Sequence, residues 1–171
     1  MLATHRRIAV LPFTDAPGAD AGHSGKVVAS IVAGFALDVP AWIVVERDQI
    51  CRVIEEQDLS LTDLVDPTTA VDIGKLVGAD GVIIGQVMQY RIGSIPFLFL
   101  FTLDMDQYKV EYSFRMVSVE TGEWCVSARA SHISTASFEQ AIAEGTSKIF
   151  QKIKIALASE AGSSPAEQRS E

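Results

Sequence analysis

The apolar positions of this chain fall into short runs and into stripes of helical period. Residues 7–13 (RIAVLPF) form a nearly continuous apolar run closed by Thr14, Asp15, Pro17 and Gly18, the pattern of a strand buried on both faces. Val27, Val28, Ile31, Val32 and Phe35 then recur at helical spacing until Asp38, Val39 and Pro40 stop the pattern. Residues 42–45 read as a second buried strand, and Asp48 stands where an N-cap belongs, ahead of a helix whose inner face is Ile50, Val53 and Ile54. Asp66 followed by Pro67 opens a third helix, on which Val71, Leu76 and Val77 supply an apolar face before Gly78 ends it.

Residues 80–90 (DGVIIGQVMQY) are dense in Val and Ile, and Gly81 and Gly85 predict a central strand that a helix approaches closely. Between 108 and 119 one parity carries Tyr108, Val110, Tyr112, Phe114 and Met116 while the other begins Lys109, Glu111, Ser113 and Arg115, a half-buried antiparallel strand. Glu120, Thr121 and Gly122 turn it into a hairpin partner at 123–133, with Trp124, Val126, Ala128 and Ala130 expected on one face. A last helix starts at Ser137 and Gln140 in capping-box register and buries Phe138, Ile142, Ile149, Ile153 and Leu157. The predicted order β-α-β-α-α-β-β-β-α implies a single α/β sandwich domain over residues 7–158, a mixed sheet of about five strands with helices packed on it. Residues 1–6 and 159–171 are polar and unpatterned, so they are expected as a disordered N-terminal extension and a disordered C-terminal tail.

With 171 residues, 48% apolar, the chain is long enough to bury roughly 70% of its unfolded surface. Its net charge of −8 opposes partners whose affinity comes from neutralised phosphates, which argues against nucleic acid. Two cysteines more than seventy positions apart suggest neither a disulfide framework nor a metal knuckle. The longest apolar block, 95–101, is too short for a membrane helix and contains Pro96, and residues 1–7 carry no apolar signal core or lipidation cysteine.

Candidate chemistry is sparse. Gly74-Lys75 lies inside a helix before a strand, whereas a phosphate loop needs its Gly-Lys-Ser/Thr between a strand and a helix. His5, His23 and His132 lack a second ligand at i+3 or i+4, and no serine sits in a nucleophile elbow. The reading is of a protein that is not an enzyme, with no metal site and no cofactor. Glu46-Arg47-Asp48 lies at a strand end, where ligands of open α/β sheets bind; Arg47 either pairs with a neighbouring carboxylate or meets a second subunit. Phe97, Leu98, Phe99, Leu100 and Phe101 alternate where a connector should be polar, so this extended stretch is either packed under the last helix or turned towards a partner or a membrane, with protein contact the expected use of the side left over.

The segments IAVLPF (8–13), VVERDQ (44–49), IEEQ (54–57) and IGKLVGADGVIIG (73–85), with the Thr121-Gly122 turn, together resemble the CsgG-like, curli-secretion family of bacterial envelope lipoproteins. The resemblance spans about Ile8 to Leu157 and implies a periplasmic, outer-membrane-associated α/β domain. That domain would be related in shape to the TolB N-terminal domain and to lipoprotein activators of penicillin-binding proteins. It implies assembly or secretion roles without chemistry, an envelope partner or a homo-oligomer, and membrane contact through a lipid anchor outside the given chain. A secretion channel of this family needs two membrane hairpins per subunit, each of roughly twenty residues or more. The connectors read here are 17 residues (91–107) and three (120–122), which favours an accessory or scaffold domain over a channel subunit. A cytoplasmic small-molecule-binding α/β domain is the remaining alternative.

Overall fold

In the computed structural model, which describes residues 6–19, 23–60, 63–96 and 104–162, Pro12 splits the first apolar run in two. Strand β1 (Arg7–Val10) and the two-residue β2 (Thr14–Asp15) both pair in parallel with β4 (Gly81–Pro96). Pro12 has no N–H to donate, so the ladder lapses there and resumes at Thr14. Helix α1 (Ser24–Leu37) leads to β3 (Ile43–Val44), α2 (Arg47–Glu56), a single 3₁₀ turn at Asp63–Val65, and α3 (Pro67–Val77). Strands β5 (Asp104–Ser118) and β6 (Trp124–Ser134) and helix α4 (Phe138–Gly162) complete the fold. The six-stranded sheet runs β3-β1-β4-β5-β6, with β2 on β4; the β4–β5 and β5–β6 pairs are antiparallel and the others parallel. The expected α/β class and element order hold, with β2 as the added strand.

Alternation along β1 explains why its sequence is apolar at every position. Ile8 and Val10 face a core built with α1 and α4, around Val28, Tyr112, Phe114 and Phe150. Ala9 and Leu11 face a second core under α2 and α3, with Val45, Ile50, Ile73 and Val82. Burying each such aliphatic side chain stabilises by about 1.5–3 kcal/mol. The two faces are not equally covered. Helices α1 and α4 span one face, whereas α2 and α3 cover the other only over β3, β1, the start of β4 at Val82 and Ile84, and the end of β5 at Val117, with Val119 just beyond it. The outer part of that face, over the far part of β4 and over β5 and β6, is bare sheet.

Several local expectations change. Helix α2 starts one residue early, at Arg47, so Asp48 sits in its first turn while Glu46 occupies the N-cap without a side-chain hydrogen bond. The close approach to Gly85 comes from an aromatic ring rather than a helix: a Cβ there would meet Phe13 ring atoms at 2.5 Å. Ser137 does accept the Gln140 amide at 3.2 Å, yet the Gln140 side chain turns to Glu144, so only half of the capping box forms. A register shift between Met116 and Val117 moves Trp124 off the face of Val126, Ala128 and Ala130; its ring lies 4.0 Å from the Arg115 guanidinium on the bare side of the sheet. Most of the expected 91–107 connector is strand, because β4 and β5 pair out to Pro96 and Asp104. Helix α4 continues to Gly162, past the expected start of the tail at Ser159, and the backbone of Arg6 is fixed by Asp80.

Candidate functional site

Strands β3 and β4 flank β1 on opposite sides, and the helices that follow β1 and β3 lie on opposite faces of the sheet. Beyond the carboxyl ends of β1 and β3 this arrangement opens a crevice, the usual ligand position in such sheets. Here it is a cleft of about 520 Å³ between α1 and α2, walled by Ala33, Gly34, Leu37 and Val44, with Glu46 and Arg47 at its mouth. Arg47 is exposed and, among the described residues, makes no ion pair, so the expected pairing with a neighbouring carboxylate is absent. The walls are apolar and the mouth carries one cation and one anion. Apart from Ser30 the walls of the cleft are aliphatic, with room for an apolar side chain beside a charged one.

Lys75, Gly74, Gly78 and Asp80, which carry the superficial look of a phosphate loop, have structural roles. Lys75 pairs with Asp72 at 3.1 Å on the surface. Gly74 is glycine because a Cβ would come within 2.5 Å of a Val119 methyl and 2.7 Å of a Val82 methyl. Gly78 ends α3 in the left-handed conformation, at φ 65°. Asp80 then accepts the backbone N–H groups of Arg6 (3.0 Å) and Arg7 (2.8 Å), while the Arg7 guanidinium donates to the Gly78 carbonyl at 2.8 Å. The Gly-Ala-Asp segment is thus a clasp on the start of β1. Its sequence signal is an acid placed just after a helix stop and before a strand.

Asp15 and Ser24 are hydrogen-bonded, but Asp15 also accepts the Gly25 amide at 3.0 Å and therefore serves as the cap that His23, at the N-cap position, does not supply. His132 lies on β6 beside Glu144 at 2.5 Å, and hydrogen bonds from Gln140 and then His132 hold the Glu144 carboxyl below its usual range. His5 lies outside the described residues, and no group of three potential metal ligands occurs among the described ones. Cys51 on α2 and Cys125 on β6 form no disulfide, and burial pushes the Cys125 thiol upward, away from nucleophilic character. The buried phenol of Tyr112 donates to the Ile142 carbonyl at 3.1 Å and lies 2.5 Å from Thr146 Oγ1, pinning α4 to the sheet.

Phe97, Leu98, Phe99, Leu100 and Phe101 lie outside the described residues. The arms that lead to them are described: β4 and β5 remain paired beyond Tyr108–Ser134, where β6 ends, and Ile92 on this arm is 57% exposed. Among the described residues no helix is long and apolar enough to cross a membrane.

Residues 2–164 match the family model described as curli production assembly/transport component CsgG. No curated protein matches the chain. Among solved structures, the fold is shared with the dodecamer of a PelC variant from Paraburkholderia phytofirmans (TM-score 0.60, 14% identity, covering 87% of this chain and 88% of that one). It is shared also with lipoprotein GNA1162 from Neisseria meningitidis (TM-score 0.57, 16% identity, 93% and 99%). LpoB from E. coli is similar as well (TM-score 0.56, 14% identity, 76% of this chain and 56% of that one).

Proposed function

The chain belongs to the CsgG family of curli production assembly/transport components, and from that premise we propose that it is a non-enzymatic accessory or scaffold domain of the bacterial cell envelope. It acts in assembly or secretion through protein–protein contacts. The observation that carries this reading is the extent of the family match, which takes in the whole folded body and not one motif. Two further observations support it. Asp15, Asp80, Lys75 and Glu144 are engaged in a cap, a clasp and surface pairs, and the crevice at the strand ends has largely apolar walls suited to a protein side chain. Among its structural relatives are a dodecamer and a lipoprotein. In this reading the chain resides at the periplasmic face of the outer membrane, and Arg47 at the cleft mouth is a contact residue for an envelope protein.

A channel subunit fits the chain less well. The β5–β6 connection is only residues 119–123, closed by the Gly122 N–H to the Ser118 carbonyl at 2.9 Å, so the second of the two membrane hairpins has no strands to build it. Fractionation of cells producing the tagged full-length protein, with chemical cross-linking, tests the proposal. The expected result is recovery with envelope membranes and cross-links to an envelope protein. Recovery in the cytosol without cross-links would overturn it, and stepwise conductance in lipid bilayers would replace it with the channel.

A further inference from the structure

The half-covered face of the sheet has an uneven charge to match its uneven height. Between Glu46 and Lys75 the α2–α3 layer exposes eight carboxylates against three cations, a net of −5. The bare half over β4, β5 and β6 carries Arg91, Lys109, Arg115 and Arg129 against the single Glu111, a net of +3. Arg91 and Lys109 are direct cross-strand partners, a like-charge pairing that costs stability unless something anionic lies over it. Glu111 is committed to Arg129, whose Nε donates to it at 2.9 Å. A chain of net charge −8 therefore keeps a basic surface on open sheet, framed by two exposed apolar side chains, Trp124 at 52% and Ile133 at 49%.

We propose that this face is an isologous interface with a second copy of the chain. Two copies related by a two-fold axis set the acidic α2–α3 layer of each upon the bare basic strands of the other. This rests on the reading of a domain that works through protein contacts, and it names one partner. A helix layer stands about 10 Å above a sheet, so each copy presents a step, and a two-fold axis brings two such steps into register. The charges match reciprocally, because −5 meets +3 twice in one closed dimer. Exposed Leu76, on the outward side of α3, adds an apolar contact near the axis. Area is sufficient. Three strands spaced about 4.8 Å over seven residues at about 3.3 Å each offer about 300 Å² of flat surface, so two such contacts hide about 1,200 Å² in total, the lower end for a specific interface.

The test is a charge swap read by light scattering, with circular dichroism as the check on folding. One variant carries Arg91→Glu, Lys109→Glu and Arg115→Glu, which makes both halves of the face acidic. The other carries Glu46→Lys, Glu55→Lys and Glu56→Lys, which makes both basic. The wild type is expected at twice the 18.5 kDa chain mass, losing dimer as salt is raised. Each folded variant is expected as a monomer, and the dimer should return when the two are mixed. A monomeric wild type, folded variants that keep the wild-type mass, a mixture that stays monomeric, or an assembly larger than a dimer would each overturn the proposal. A monomer that still cross-links to an envelope protein would sink this interface and leave the functional reading standing. A dimer recovered only from the cytosol would do the reverse.

Discussion

The Tyr112 hydroxyl lies 2.5 Å from Thr146 Oγ1 and donates to the Ile142 carbonyl, so the only fully buried tyrosine among the described residues fastens the central antiparallel strand to α4. Gly145 makes this possible, because a Cβ there would come within 3.2 Å of the phenol oxygen. Tyr112→Phe removes the phenol from a buried polar pair and should lower stability by about 1–2 kcal/mol in urea unfolding. A variant as stable as the wild type would show that the pair contributes nothing.

The same residue predicts alkaline behaviour. Burial pushes the phenol up to about 12 from an ordinary 10.0, against a smaller opposing effect of the Thr146 hydrogen bond. The folded chain thus keeps the proton longer than the unfolded chain does. The stabilisation is complete below pH 10 and is lost as pH rises towards 12, a difference of about 3 kcal/mol across that window. Tyr112→Phe should flatten this part of the pH profile, and parallel profiles for the two proteins would refute the assignment.

Glycines on α1 predict effects of opposite sign. A Cβ at Gly25 would sit 2.0 Å from the Phe13 carbonyl oxygen, so Gly25→Ala must push the helix off the sheet and should cost about 1–3 kcal/mol or more. Gly34 has nothing within 4 Å of its missing Cβ, and Gly34→Ala should stabilise by about 0.5–1 kcal/mol through helix propensity. Thermal melting of the two variants on either side of the wild type is the expected result.

Much of the fold is legible in the sequence. The Asp66-Pro67 start and the Gly78 stop of α3 depend on local backbone chemistry alone, and both form as read: Asp66 accepts the Thr69 amide at 3.0 Å, and Gly78 takes the left-handed turn. What escaped depends on pairing across the chain. The bulge at Cys125 flips Trp124 to the other face, and no property of β6 alone signals it; the extension of β4 to Pro96 is set by β5 opposite it. At the candidate site, Arg47 was visible as a strand-end cation, but the apolar wall beside it comes from α1, over ten residues upstream. The basic bare face was hidden for a related reason. Its four cations lie on three strands and become neighbours only through the sheet register.

Asp80 should be worth more than its exposure suggests, because it accepts two backbone N–H groups at the first residues of β1. Asp80→Ala is expected to cost about 1–2 kcal/mol, and Asp80→Asn less, since one acceptor oxygen remains. Hydrogen exchange distinguishes a local clasp from a general effect: the Arg7 amide should exchange faster in the alanine variant while the Tyr112 amide keeps its relative protection. Uniform acceleration across β1 and β5 would argue against the clasp.

Arg47 is the sharpest test of the cleft, because its position predicts no stabilising role. It is exposed, makes no ion pair among the described residues, and stands at the first position of α2, where a cation opposes the helix dipole. Arg47→Ala should therefore leave the melting temperature unchanged or slightly raised, within about 0.5 kcal/mol. A cation kept at an unfavourable helix end, beside apolar walls, is what a contact residue for an acidic partner surface would look like. Cross-linking to the envelope partner should accordingly fall about tenfold with the fold intact, the loss of one contact of about 1.4 kcal/mol. A drop of several degrees in melting would assign Arg47 to the fold instead, and unchanged melting with unchanged cross-linking would remove the cleft mouth from the contact surface.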